Sequence, residues 1–263
     1  MQLTPFSDLL RLDKSGNQYS TFISEDWQQG RSTFGGLTAA LCLKAALNSV
    51  SSLPALRSAQ LTFIGPAAGD VTLSSRVLRQ GKNVTYLQTD LHGEKGLATS
   101  AIFCFGGSRE STQMRNDLPM PDVPEPDGLP LLFEGGGGPG FAVNHFEQRL
   151  ALGTHAFGGD DADNHVWVRF KDRNTPEDTL SLMAIADALP PAELSAFKSF
   201  APISTMTWLV NFLTDQPVTE DGWWLIHACA NHTLGGYSSQ DMTGWNKTGQ
   251  PVFSAKQSIA IFA

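Results

Sequence analysis

The sequence predicts an α+β fold made of two repeats, each a long apolar helix wrapped by an antiparallel sheet. Three observations carry this. The run F-G-G-L-T-A-A-L-C-L-K-A-A-L from Phe34 to Leu47 has helical character, and Lys44 is its only charge; a helix apolar almost all round must be buried on most sides. Four short alternating segments joined by brief turns follow it, the pattern of an antiparallel sheet. After a Gly/Pro-rich stretch, the same order of elements returns.

Taken in order, residues 6–12 form a short amphipathic piece, the turn Lys14-Ser-Gly-Asn breaks the chain, and residues 19–23 read as a strand. Trp27-Gln-Gln-Gly-Arg leads to the first helix, with Thr33 as the expected N-cap. Strands are expected around 59–63, 71–77, 87–91 and 98–105. The turns between the later ones are Gln80-Gly-Lys-Asn and Gly93-Glu-Lys-Gly.

The chain then changes character. Gly106-Gly-Ser and Gly135-Gly-Gly-Gly-Pro-Gly bracket a segment with prolines at 119, 121, 124, 126 and 130. No apolar period survives there, as in an extended linker. The expected organisation is a first repeat over 1–106, a linker over 107–140 and a second repeat over 141–263. In that second repeat, 143–150 and 165–170 read as strands. Thr175-Pro-Glu-Asp looks like a helix start, and Pro190-Pro191 should stop that helix beyond Ala188. Strands over 204–213, 223–232, 236–245 and 252–262 complete the set.

Composition narrows the classes of function. The 263 residues are 41% hydrophobic and 17% charged, which suits a folded protein with a sizeable core. A net charge of −8 argues against nucleic acid as a partner. Cys42, Cys104 and Cys229 are widely spaced and include no C-x-x-C, so buried thiols are expected rather than disulfides. M-Q-L-T-P-F-S-D lacks a basic region ahead of an apolar core, and no apolar run reaches about 18 residues. A cytoplasmic protein with no membrane span is expected.

Three polar residues stand out on apolar elements. Asp187 lies in L-S-L-M-A-I-A-D-A-L, Thr205 in I-S-T-M-T-W and Gln257 in V-F-S-A-K-Q-S-I-A-I-F. Gln257 shares its strand face with Phe253, Ala255, Ile259 and Ile261 by period two. A carboxylate, a hydroxyl and an amide on such a scaffold are costly unless they meet. Burial should raise the pKa of Asp187 and suit it to act as a base near neutral pH. Each residue also has a plainer reading: Asp187 as an exposed residue at a helix end, Gln257 as a satisfied core amide, Thr205 as an ordinary strand residue. In the first repeat the corresponding segment holds Ala101-Ile102 and the helix has no acid, so one site per chain is expected.

W-Q-Q-G-R-S-T-F-G-G, V-W-V-R-F, D-A-L-P-P and V-F-S-A-K-Q, in this order and spacing, resemble the acyl-CoA thioesterase II family over nearly the whole chain except the linker. The resemblance implies a double hotdog fold and hydrolysis of acyl-CoA thioesters by an Asp, a Ser/Thr and a Gln of the second repeat, matched here by Asp187, Thr205 and Gln257. The strand after Thr205 departs from it: M-T-W-L-V-N-F stands where members often carry histidine, a change that bears on the substrate channel. Gly35 and Gly36 would offer backbone N–H groups at a helix N-terminus to a developing oxyanion or to substrate; close packing of helix on sheet explains them equally well.

The expected partner is an acyl-CoA substrate, with no cofactor and no metal. The six histidines show no H-E-x-x-H or zinc-finger spacing, and there is no Gly-x-Ser-x-Gly elbow. Gly135-Gly-Gly-Gly-Pro lacks the ending of a phosphate loop. Exposed sheet edges favour a homo-oligomer, a dimer or higher. A hotdog hydratase or dehydratase and a non-catalytic acyl-CoA binding protein are the competing readings.

Overall fold

The structure, a computed structural model, describes residues 3–133, 137–159, 161–199 and 201–262. Its first half contributes β1 (Asp13–Ser15), β2 (Gln18–Ile23), a separate small hairpin of β3 (Gln28–Gln29) and β4 (Ser32–Thr33), then β5 (Leu56–Phe63), β6 (Gly69–Gln80), β7 (Val84–Gly93) and β8 (Gly96–Gly106). The second half contributes β9 (Phe146–Leu152), β10 (Asp163–Phe170), β11 (Ile203–Phe212), β12 (Trp224–Leu234), β13 (Tyr237–Asn246) and β14 (Pro251–Ile261). All but the small hairpin join one sheet of twelve strands, in the order β1-β2-β6-β7-β8-β5-β11-β14-β13-β12-β10-β9. Every pairing is antiparallel. From the centre outward the two halves have the same order, β5 matching β11, β8 matching β14, and so on to the edges. Residues 58–62 of β5 pair with 207–211 of β11 and form the seam between them.

The first long helix, α2, follows the short α1 (Phe6–Leu9) and spans Gly35–Ser49. Its residues from Gly36 to Leu43 are all buried, and it packs on β6, β7 and β8. The N-cap is Phe34, without a side-chain cap, rather than Thr33; the Thr33 hydroxyl instead donates to the Ala67 carbonyl at 2.6 Å. Val143, expected in a strand, belongs to α3 (Gly140–His145), which leads directly into β9.

Among the described residues, the second repeat does not carry a long helix. Its helix, α4, spans only Thr179–Ile185. Thr175 is not its cap: Asp178 and Ser181 close a reciprocal capping box three residues later. At the other end, Asp187 N–H and Ala188 N–H donate three residues back, to Ala184 and Ile185. The chain tightens out of the α-helix before reaching the prolines.

The linker is not a free tether where it is described. Met120, Val123 and Leu129 pack on a cluster of Trp167, Trp223, Leu225 and Trp245 on the outer face of the second half-sheet. The indoles of Trp167 and Trp245 donate to the Pro124 and Leu118 carbonyls, each at 2.9 Å. Buried indoles need such partners, and the proline-rich segment supplies them. Part of the glycine run, Gly135 and Gly136, lies outside the described residues.

Candidate active site

Asp187 sits in the turn that ends α4, just beyond its last helical residue rather than inside the helix. The turn is held from the sheet: the Gln148 amide, buried on β9, donates to the Ala188 carbonyl at 3.0 Å. Asp187 is half-buried. Its Oδ1 accepts a hydrogen bond from Gln257 Nε2 at 2.7 Å.

Gln257 does not stand alone. Gln240, its direct neighbour on β13, donates Nε2 to Gln257 Oε1 at 2.6 Å. The Ala192 N–H in turn donates to Gln240 Oε1 at 2.9 Å. Both glutamines are buried. An amide has distinct donor and acceptor ends, so this relay sets the orientation of each. The backbone donor at Ala192 fixes Gln240, Gln240 fixes Gln257, and Gln257 is left with its N–H directed at Asp187. Sequence reasoning misses Gln240. Its segment, Y-S-S-Q-D-M-T, is polar on both faces of its strand, so no apolar stripe sets the amide apart. The signal that exposes it is register: it pairs directly with Gln257.

The first repeat completes the site. The N-terminus of α2 meets the C-terminal end of α4 so closely that a Cβ on Gly35 would lie 2.6 Å from Asp187 Oδ2. A Cβ on Gly36 would lie 2.6 Å from the Ala184 carbonyl oxygen. The Gly36 backbone N–H faces the Asp187 carboxylate and favours its charged form. Burial raises the Asp187 pKa, the Gln257 hydrogen bond and the Gly36 N–H lower it, and the balance lies at about 7. The carboxylate is therefore poised near neutrality, at the positive end of a helix.

Thr205 is the residue the geometry does not tie in. It pairs with Ile259, two residues from Gln257 on β14, and so lies on the same face of the sheet. A bulge at Met206 follows it. Among the described residues, no side-chain hydrogen bond joins it to Asp187 or Gln257.

The pseudo-equivalent position in the first repeat is apolar. Matching S-A-I-F of β8 to S-A-K-Q of β14 puts Phe103 opposite the place of Gln257, one residue beyond the expected Ala101-Ile102. Phe103 pairs with Leu87 as Gln257 pairs with Gln240, and both are fully buried. The fold thus closes over this position with hydrocarbon alone.

Residues 23–106 match the family model of the acyl-CoA thioesterase N-terminal domain, and residues 117–261 match that of the C-terminal domain. The chain belongs to the acyl-CoA thioesterase family. It is a thioester hydrolase built on a hotdog fold. A conserved protein of unknown function with the hotdog fold from Alicyclobacillus acidocaldarius is 26% identical, with 99% of each chain covered and a TM-score of 0.88. An acyl-CoA thioesterase II from Mycobacterium marinum is 16% identical, covers 98% of this chain and 99% of its own, and has a TM-score of 0.77. The dehydratase domain of RzxB from Pseudomonas fluorescens shares the architecture more distantly, at 12% identity and a TM-score of 0.59 over 92% of this chain and 93% of that one. No curated protein sequence matches. These structural likenesses speak for the fold; the family rests on the two matched domains.

Within this thioesterase, a cleft of about 410 Å³ lies away from Asp187, lined by Ser52, Gln80, Lys82, Asn83 and Arg109 among others. It opens past the C-terminal end of α2, which is about 22 Å from the Gly35 end at 1.5 Å per residue. A smaller cavity lies beside the Asp187 turn, bordered by Leu189, Pro190, Val166 and Asn164. Arg149 is engaged by Glu147 and the Leu129 carbonyl, and Arg76 by Gln88. Among the described residues, no helix is long and apolar enough to cross a membrane.

Proposed function

We propose that this thioesterase hydrolyses acyl-CoA to free fatty acid and CoA, with Asp187 as general base on the attacking water. Asp187 takes a proton as the water oxygen bonds to the thioester carbonyl carbon. The tetrahedral intermediate then expels the CoA sulfur, which receives that proton. Gln257 orients the carboxylate, and Thr205 offers a hydroxyl on the same face to hold the water. The helix end at Gly35 and Gly36 stabilises the oxyanion. The N–H groups of Gly35 and Gly36 carry that stabilisation together with the helix dipole. The observation that carries this reading is the Gln257–Asp187 hydrogen bond at a carboxylate whose pKa is raised to about 7.

The test is release of free thiol from a panel of acyl-CoAs of different chain lengths. Turnover is expected, and Asp187→Asn should lose most of it while remaining folded. A single turnover in heavy-oxygen water should place the label in the fatty acid. Label in the Asp187 carboxylate would instead indicate attack by Asp187 itself through a mixed anhydride. Tight acyl-CoA binding with no turnover on any chain length would refute the reading.

A further inference from the structure

A second cluster of reactive side chains lies on the other face of the sheet. β10 and β12 are adjacent antiparallel strands, with Asp163 opposite Cys229 and His165 opposite His227. D-x-H on one strand and H-x-C on its partner put all four side chains on one face. It is the outer face, because the alternating residues Val166 and Val168 belong to the main core. His227 Nε2 lies 2.9 Å from Asp163 Oδ1, and the donor atoms of Asp163, His227 and Cys229 all fall within 4.8 Å of one another. His165 stacks on His227 with ring centroids 4.2 Å apart, its Nδ1 3.7 Å from Asp163 Oδ1. Asp163 is exposed and the His and Cys residues are half-buried, which gives an ion a path from solvent. On the next strand Asp241 faces Cys229, but Lys256 and Asn231 already hold its carboxylate.

We infer that Asp163, His227 and Cys229 bind a divalent transition metal, zinc by the chemistry of their donors. A thiolate and an imidazole favour zinc over magnesium or calcium, which prefer oxygen alone. Tetrahedral zinc with bonds of about 2.0–2.3 Å holds its donors roughly 3.3–3.8 Å apart, a contraction that side-chain rotation supplies. On binding, the Cys229 thiol releases its proton to solvent as the sulfur–metal bond forms. The imidazole binds neutral through Nε2, and the carboxylate is already charged. Three protein donors leave the fourth position to water. His165 holds the ligating ring by stacking and acts as a positioning residue. The expectation of no metal site rests on spacing along one segment; here Asp163 and His227 are 64 residues apart and meet only through strand register.

The test uses the full chain, stripped of metal with a chelator and titrated with cobalt(II). One equivalent should bind, with a thiolate-to-cobalt charge-transfer band and the visible bands of a tetrahedral site, both erased by zinc. Cys229→Ser should lose the charge-transfer band. His227→Ala should weaken binding beyond the about 10–100-fold typical of a supporting residue. His165→Phe keeps a stacked ring without its nitrogen and should retain both band sets. Zinc should also raise the Tm of the parent and not of Cys229→Ser. If that variant fails to fold, zinc protection of Cys229 from a thiol reagent, read on its own peptide by mass spectrometry, replaces it. No bands in the parent, a charge-transfer band that survives in Cys229→Ser, or no protection of Cys229 each overturns the site.

Discussion

Gly35 approaches the Asp187 carboxylate so closely that only hydrogen fits between them: a Cβ at position 35 would stand 2.6 Å from Oδ2 and 3.3 Å from the Phe63 ring. Gly35→Ala should therefore displace the carboxylate. Helix propensity favours alanine by about 1 kcal/mol, so any net loss comes from the contact itself. Expected is a fall in kcat on the order of 100-fold with the far-ultraviolet circular dichroism unchanged. Full activity would show that the close approach does not matter to turnover.

The Gln240 relay gives a second prediction. The carboxylate introduced by Gln240→Glu would, when ionised, only accept hydrogen bonds. It would keep the Ala192 N–H but draw the Gln257 N–H to itself, turning Gln257 Oε1 toward Asp187. Two oxygens would then face each other, and Asp187 would hold its proton more tightly. The variant should lose roughly 10- to 100-fold in kcat, and its pH–rate profile should move to higher pH. A profile that coincides with that of the parent would mean that Gln240 does not orient Gln257.

For the parent, kcat/KM should rise about tenfold per pH unit at low pH and level off above the Asp187 pKa of about 7. The hydrogen bond from Gln257 favours the ionised form. Gln257→Leu should therefore move the inflection above that of the parent, besides lowering the plateau. A downward move would contradict the assignment of Asp187 as the titrating group.

The same raised pKa costs stability. Asp187 binds its proton more tightly folded than unfolded, so its contribution is fully present below the unfolded value of 3.8 and is lost as pH rises through about 7. Asp187→Asn removes that dependence. The variant should be more stable than the parent at pH 8, by roughly 1–3 kcal/mol, with the difference fading toward pH 4. Urea unfolding at the two pH values measures it. A variant less stable than the parent at both would contradict the sign.

How legible all this was follows from particular residues. Asp187 and Gln257 were readable because each interrupts an apolar pattern, and such interruptions need a reason. The α2 helix was readable from its nearly all-apolar run, broken by Lys44 alone. The start of α4 was not: Thr175 and Asp178 are both competent caps three residues apart, and only the Ser181 contact decides between them. Gln240 was hidden because polar neighbours on both faces of β13 conceal it. The outer-face cluster of Asp163, His165, His227 and Cys229 was hidden because its spacing exists across strands and not along them. Trp167 and Trp245 fall in strands that the sequence marks, but their indole bonds to the linker depend on the path of a segment with no period.

The seam between the halves pairs only residues 58–62 with 207–211. Yet Gly35 and Gly36 come from one side of it and Asp187, Gln240 and Gln257 from the other. Prying the halves apart would separate Asp187 from the glycine helix end while leaving each half-sheet its own ladder. In mild denaturant, turnover should therefore fade before circular dichroism does. Catalysis in this molecule doubles as a gauge of whether its two halves are docked.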